Sequence, residues 1–182
     1  MTITIQDRTA PRTDDAFARL VDRDLDRVWR FLRSLVRDPD LARDLCHDTF
    51  LRLRRALAEG RVRRLEDGLP NAGYVFAAAR RAAYDHGRRR RDVVPLDAAA
   101  DARADGTPHG DLERGQLGHA LDAALNALDD DHRAVFVLSE LEGLRYEEIA
   151  EALGLPAGTV ASRKHAAVHH LRRTLEGMGH AL

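Results

Sequence analysis

Tyr84 sits in a row of guanidinium groups. Arg80, Arg81, Arg88 and Arg91 recur around it at helical spacing, with His86, Arg89 and Arg90 alongside, and the stretch Arg80 to Arg91 holds six arginines against the single acid Asp85. Guanidinium groups track phosphates, and an interleaved ring offers a stacking surface worth about 1–3 kcal/mol per base. That chemistry suits single-stranded or melted DNA. An arginine-rich helix end favoured by the helix dipole and simply solvated is the alternative for the same residues.

A second cluster lies near the C-terminus. Glu147-Glu148-Ile149-Ala150-Glu151-Ala152-Leu153-Gly154-Leu155-Pro156, followed by Gly158-Thr159-Val160, has the layout of a helix-turn-helix. Gly154 can take the left-handed conformation that ends one helix, and Pro156 pre-sets φ for the start of the next. Small Ala150 permits a close crossing. The second helix would bury Val160, Ala167, Leu171 and Leu175 and present Thr159, Ser162, Arg163 and Lys164 to a major groove. Hydroxyls and cations there reach phosphates, and arginine also pairs with guanine edges. A plain helical hairpin with a solvated polar face is the alternative.

Other residues invite chemistry and lack its context. His165 and His169 stand four apart with His170 adjacent, but no carboxylate completes a ligand set, so no metal is expected. There is no nucleophile elbow and no glycine-rich phosphate loop, which argues against hydrolysis. The single cysteine, Cys46, excludes an internal disulfide and any multi-cysteine zinc site, and lies on an apolar helix face as a core residue would. No cofactor and no enzymatic activity are expected.

The elements that must position these residues follow from periodicity. Phe17, Leu20, Val21, Val28, Phe31, Leu32 and Leu35 form one stripe of a helix over about 14–37, with Thr13 as cap and Asp38-Pro39 as its end. A second helix, about 40–59, carries Ala42, Leu45, Cys46, Thr49, Phe50, Leu53 and Leu57. A loop marked by Gly60, Gly68 and Pro70 leads to Asn71, the expected cap of a third helix reaching about Arg90. From Asp92 to Glu113 periodicity vanishes, and six acids face one arginine: an acidic, flexible linker. Leu117, Ala120, Leu121, Ala124, Leu125 and Leu128 resume it. A helix with Val135, Phe136, Leu138 and Leu141 follows, and then the two helices of the turn motif. Trp29 falls off the first stripe, facing either a neighbouring helix or a partner. The expected fold is all-α: two small helical domains joined by the linker, the C-terminal one a helix-turn-helix.

The 182 residues allow one or two small domains and no large multidomain enzyme. With 29 basic and 30 acidic residues the net charge of −1 argues against a nucleic-acid binder only on average, because the charges are segregated along the chain. No run of 18 apolar residues exists and Met1 to Arg12 lacks the apolar stretch of a signal peptide, so a cytoplasmic protein without membrane insertion is expected.

Both halves together resemble an extracytoplasmic-function (ECF) sigma factor, a small member of the sigma-70 family of bacterial RNA polymerase initiation subunits. Asp44-Leu45-Cys46-His47-Asp48-Thr49-Phe50-Leu51-Arg52-Leu53 is similar to the family's core-binding helix. Tyr74 to Arg91 resembles its promoter-melting and −10-reading helix. Tyr146 through Arg163 resembles its −35-reading helix-turn-helix. The resemblance implies a division into a disordered N-terminus (1–13), a region 2-like domain (14–91), a linker (92–115), a region 4-like domain (116–176) and a tail (177–182). It implies that Asp44, His47, Asp48 and Arg52 face the core polymerase (its β and β′ subunits). The loop from Gly60 to Asn71 would cradle a flipped −10 base. Tyr74, Arg80, Arg81, Tyr84 and Arg88 would hold the −10 strand, and Thr159, Ser162, Arg163 and Lys164 the −35 duplex. It further implies an anti-sigma partner, and a linker threading toward the polymerase active centre, although a solvated tether fits that composition equally.

Some positions depart from the family. Arg145 replaces the Ser or Thr that usually caps the first reading helix, at a cost of about 1 kcal/mol unless compensated. Ala161 and Ala166 replace frequent cations, which predicts a weaker and less salt-sensitive −35 contact. The rival readings are a stand-alone helix-turn-helix regulator and a sigma-like adaptor that no longer reads DNA.

Overall fold

A computed structural model describes residues 13–62, 65, 67–93 and 116–179. Of the expected acidic linker, Asp92 and Val93 form the end of the third helix instead, and the rest lies outside the described residues. Among the described residues seven α-helices run in the order α1 (Thr13–Val36), α2 (Pro39–Ala58), α3 (Ala72–Val93), α4 (Gln116–Ala127), α5 (Asp130–Phe136), α6 (Tyr146–Leu153) and α7 (Ala157–Gly177), and a π-helical turn, Val137–Leu141, extends α5. The all-α expectation holds.

The helix ends show how local residues set the boundaries. Thr13 is the first residue of α1 rather than its cap, and Asp14 and Asp15 supply the favourable first-turn charge. Asp38-Pro39 does more than stop α1. Asp38 accepts hydrogen bonds from the backbone N–H groups of Asp40 (2.9 Å) and Leu41 (3.1 Å), and Pro39 opens α2. Between the two helices Arg37 takes a left-handed φ of 62°, which costs a residue with a β-carbon roughly 1–2 kcal/mol. Its backbone N–H donates to the Arg33 carbonyl (3.0 Å) and its guanidinium to the Asn126 carbonyl on α4 (3.1 Å). Asn71 caps α3 through a hydrogen bond from the Tyr74 N–H (2.7 Å).

The α1 stripe buries Ala16, Leu20, Val28, Phe31 and Leu32, and α2 buries Leu45, Cys46, Phe50, Leu53 and Leu57 against it. Phe31 and Phe76 meet edge to face, centroids 5.4 Å apart, tying α1 to α3. Trp29 is half-buried against this core. Cys46 is buried, and burial, helped by the negative charge of Asp26, pushes its thiol up to about 11. That environment favours the neutral, unreactive form.

The two helical lobes are not separate in space. Val135, Leu138, Leu144, Ile149, Leu153 and Val160 from the C-terminal half belong to the same continuous core as α1–α3. A smaller cluster joins Ala120, Ala124 and Leu128 of α4 to Ala167, Leu171 and Leu175 of α7. Helix α6 lies across α3, and α5 with its π turn packs on α1. Charge is buried along this junction. Asp24 is fully buried on α1 between Arg23 (2.7 Å) and Arg27 (3.0 Å). The Glu142 carboxylate, 1 % exposed, receives Arg27 (3.1 Å) and Arg30 (3.0 Å). The Glu142 N–H closes the π turn onto the Val137 carbonyl (3.0 Å), so a local winding irregularity delivers this acid to α1.

Candidate nucleic-acid interface

On α3 the apolar positions Val75, Phe76, Ala79 and Ala82 face the core. The remaining face carries Arg81 and Arg88, both exposed, and Tyr84, 56 % exposed. Arg80 stands differently. Its guanidinium carbon lies 4.8 Å from the Tyr84 ring centroid, it donates to the Leu153 carbonyl of α6 (2.7 Å), and it is 3.8 Å from an Asp131 oxygen. The side chains of Arg90 and Arg91 lie outside the described residues.

The loop before α3 is tied down by local bonds. Leu65 donates to the Leu69 carbonyl (2.7 Å), and Gly68, at φ 80°, donates back to Leu65 (2.9 Å). Arg23 reaches the Pro70 carbonyl (2.8 Å). A cavity of about 380 Å³ opens beside this loop, lined by Leu65, Asn71, Tyr74 and, from the other lobe, Glu151. Glu151 accepts a hydrogen bond from Asn71 Nδ2 (2.9 Å).

On α2, Asp44, His47, Asp48 and Arg52 are exposed and share one face, and Leu51, 38 % exposed, lies among them. Arg52 approaches Asp85 of α3 at 3.5 Å.

The turn motif forms as its punctuation dictates. Gly154 takes φ 64° at the end of α6, and Pro156 precedes α7. Arg145 gives no side-chain cap to α6, but Glu148 compensates by accepting from the Arg145 N–H (3.0 Å). Val160, Ala167, Leu171 and Leu175 are buried as expected. The reading face differs from the expected free cationic surface. Ser162 is exposed and Thr159 half-buried, whereas Arg163 pairs with Asp131 (2.8 Å) and Lys164 with Glu140 (2.6 Å), lying 5.6 Å from the Tyr146 ring centroid. The hydrogen bond to Glu140 raises the Lys164 pKa. His165, His169 and His170 are exposed, and among the described residues no group of three or more His, Cys, Asp or Glu could hold a metal. No described helix is long and apolar enough to cross a membrane.

Two family models match the chain in this order: Sigma-70 region 2 over residues 20–93 and Sigma-70, region 4 over residues 118–171. The RNA polymerase sigma factor CarQ of Myxococcus xanthus is 36 % identical over 165 residues, covering 88 % of this chain and 90 % of its own. The ECF RNA polymerase sigma factor SigE of Mycolicibacterium smegmatis is 34 % identical over 160 residues. The chain belongs to the sigma-70 family, among its ECF sigma factors. The match to SigE covers 84 % of this chain and 59 % of that longer relative. The solved sigma factor RpoE of Bartonella quintana, in complex with the anti-sigma factor NepR, superposes with a TM-score of 0.69 at 26 % identity over 88 % of this chain and 96 % of that one.

Sequence reasoning missed the groups that join the lobes of this sigma factor. Asp24 carried a signal, since it interrupts the α1 stripe between Leu20 and Val28, and a carboxylate on a buried face must find cations. Glu142 and Asp131 carried none, because their partners lie far away in the chain. Arg133 was equally silent. Its buried guanidinium donates to the Leu125 (2.8 Å), Asn126 (3.3 Å), Leu128 and Ser34 (3.3 Å) carbonyls, binding the end of α4 to α1. Burial, and then the nearby Arg37, lower its pKa.

Proposed function

We propose that this sigma factor directs promoter-specific initiation by gripping core polymerase with α2 and promoter DNA with both lobes, while the polymerase makes the bonds. Asp44, His47, Asp48 and Arg52 contact the β and β′ subunits, with Leu51 as the apolar anchor among them. Tyr74, Arg80, Arg81, Tyr84 and Arg88 hold the melted −10 strand: cations on the phosphates, Tyr84 under a base. Thr159, Ser162, Arg163 and Lys164 contact the −35 duplex. The functional units are the region 2-like and region 4-like segments over 14–91 and 116–176. Two weak grips on one promoter reinforce each other through effective concentration. An anti-sigma factor is the expected regulator, as NepR is found with RpoE, and the cytoplasm, where core polymerase works, is the expected compartment.

The observation that carries this reading is the exposed row of Arg81, Tyr84 and Arg88 on α3, within the region 2 match. Run-off transcription with purified core polymerase on a genomic promoter library tests it. Transcripts starting downstream of one shared bipartite motif are expected. The triple variant Arg80→Ala, Arg81→Ala, Arg88→Ala should lose open complexes while still co-purifying with core. Tight, symmetric duplex binding without polymerase would support the stand-alone regulator instead, and an unaffected triple variant would support the adaptor.

A further inference from the structure

Asp24 has no part in the grip on polymerase or DNA, yet it lies within the apolar stripe of α1, between Leu20 and Val28, and is fully buried. Replacing a buried ion pair by well-packed apolar side chains is often neutral or stabilising, so stability alone gives little reason for a carboxylate there. Its two oxygens are divided. Oδ1 accepts from Arg27 Nη1 (3.0 Å), while Oδ2 accepts from Arg23 Nε (2.9 Å) and Arg23 Nη2 (2.7 Å). Two bonds to one oxygen fix the plane of the Arg23 guanidinium. The same Nη2 donates to the Pro70 carbonyl (2.8 Å), and Nη1 lies 3.7 Å from an Asp67 carboxylate oxygen. One side chain of α1 thereby ties down both ends of the turn that leads into α3.

That turn borders the cavity. Asp67 accepts from the Leu69 N–H (2.9 Å), Leu69 and Pro70 are buried, and Asn71 follows directly. The Asn71 amide is held in turn by the Tyr74 N–H (2.7 Å) and by Glu151 (2.9 Å). Leu65 and Tyr74 give the cavity apolar and aromatic walls, and Asn71 gives it an amide. An unstacked base is recognised by that combination: walls for its faces and hydrogen-bonding groups for its edge. Tyr74 stands on the helix that carries Arg81, seven residues and roughly 10 Å further along its axis, so a strand lying on α3 passes the cavity.

We infer that Arg23, locked by buried Asp24, is a positioning residue for base selection: it holds Asp67 and Pro70 so that the cavity beside Asn71 and Tyr74 keeps one shape and takes one base of the −10 strand in preference to the others. Arg23 acts through the turn and does not touch the base. The inference rests on the proposed reading of α3 as the strand-binding surface. Its physical basis is preorganisation. Without that tie the turn samples several shapes, and a reading group displaced by about 1 Å can cost up to about a hundredfold.

Holoenzyme assembled from core polymerase and the full chain tests it, on a promoter recovered by the run-off experiment and randomised across its −10 element. Sequencing the promoters retained in open complexes gives the preference for the best base over the worst at each position. Arg23→Lys keeps the positive charge, but an ammonium cannot present the planar fork that Asp24, Pro70 and Asp67 share. It should flatten the preference at one −10 position at least about fivefold and leave the other positions within about twofold. Asp24→Asn keeps the shape of the buried acid, removes the charge that fixes Arg23, and should flatten the same position. Arg30→Ala, from the same charged cluster but bonded to Glu142 rather than to the turn, should flatten none. A partly unfolded variant forms fewer open complexes on every promoter without changing their ranking, so the readout separates positioning from stability. An unchanged profile in Arg23→Lys or Asp24→Asn, equal flattening at every position, or the same flattening by Arg30→Ala overturns the inference. A parent with no base preference anywhere in the −10 element overturns the reading of α3 instead, so the two failures are distinguishable.

Discussion

Helices α3 and α7 both carry rows of cations on apolar footings, yet the two rows are in different states. On α3, Arg81 and Arg88 project into solvent and, among the described cations of this helix, only Arg80 is taken up by the opposite lobe. On α7, Arg163 and Lys164 are both matched by carboxylates, Asp131 and Glu140, from the elements beneath them. A surplus cation gains a phosphate and releases counterions, whereas a paired one must exchange one anion for another. The difference teaches that counting arginines on a helix face measures potential, and the neighbouring acids decide how much is available. The footings differ too. Helix α3 is seated by Val75, Phe76, Ala79 and Ala82 in the main core, while α7 sends Val160 into that core but sets Ala167, Leu171 and Leu175 on α4, whose end is held by one buried guanidinium, Arg133.

The largest expected effect breaks the weaker footing. Arg133→Ala removes the charged donor shared by the Leu125, Asn126 and Leu128 carbonyls. Leu125 keeps the Leu128 N–H and Asn126 keeps Arg37, but the Leu128 carbonyl is left unsatisfied at about 1–3 kcal/mol, and with the other lost bonds a total of about 2–4 kcal/mol is expected. Hydrogen exchange should show protection lost in α4, α5 and α7 first, with α1–α3 keeping theirs. Uniform loss along the chain would mean that the two footings are one cooperative unit.

A smaller change targets the acids. Asp131→Asn removes the carboxylate shared by Arg163 and Arg80, and should raise affinity for a short duplex about three- to tenfold while steepening its salt dependence by about one counterion. Fluorescence anisotropy across a salt series measures both. An unchanged slope would show that Arg163 does not reach the phosphates.

The smallest effect concerns the start of α5. Asp129 caps it by accepting from the His132 N–H (3.0 Å), and its carboxylate lies 2.6 Å from His132 Nδ1. Partial burial opposes ionisation, but the His132 hydrogen bonds and charge hold this carboxyl below the usual range. A lowered native pKa contributes stability fully present above the unfolded value of about 3.9 and lost as pH falls through the native one. Asp129→Ala should therefore cost about 1 kcal/mol at pH 7. Urea unfolding of variant and parent should converge once the pH drops well below the ordinary aspartate range. A gap that persists in acid would place the effect in helix propensity.

Much of this was legible before any coordinates. The α1 stripe, the turn at Gly154 and Pro156, the buried set Val160, Ala167, Leu171 and Leu175, and the core position of Cys46 all follow from local rules: helical period, the left-handed tolerance of glycine and the fixed φ of proline. The compensated cap at Arg145 lay within reach as well, since Glu148 stands three residues on. The pairing of Arg163 and Lys164 was not legible. Asp131 and Glu140 are 32 and 24 positions away, and sequence spacing says nothing about which acids a fold will bring beneath a helix.

Composition, period and motif order alone determined that the chain is helical, that it carries a region 2-like and a region 4-like half, and which residue types line each. Tertiary structure alone decided that those halves share one core, that Glu142 is buried against α1, and that Arg80 answers to Leu153 and Asp131 rather than to solvent. The reason is physical. Secondary structure depends on groups within about a turn of one another, whereas the fate of a charge depends on what lies within a few ångströms in space, and for Arg27 and Glu142 that neighbour is 115 residues away.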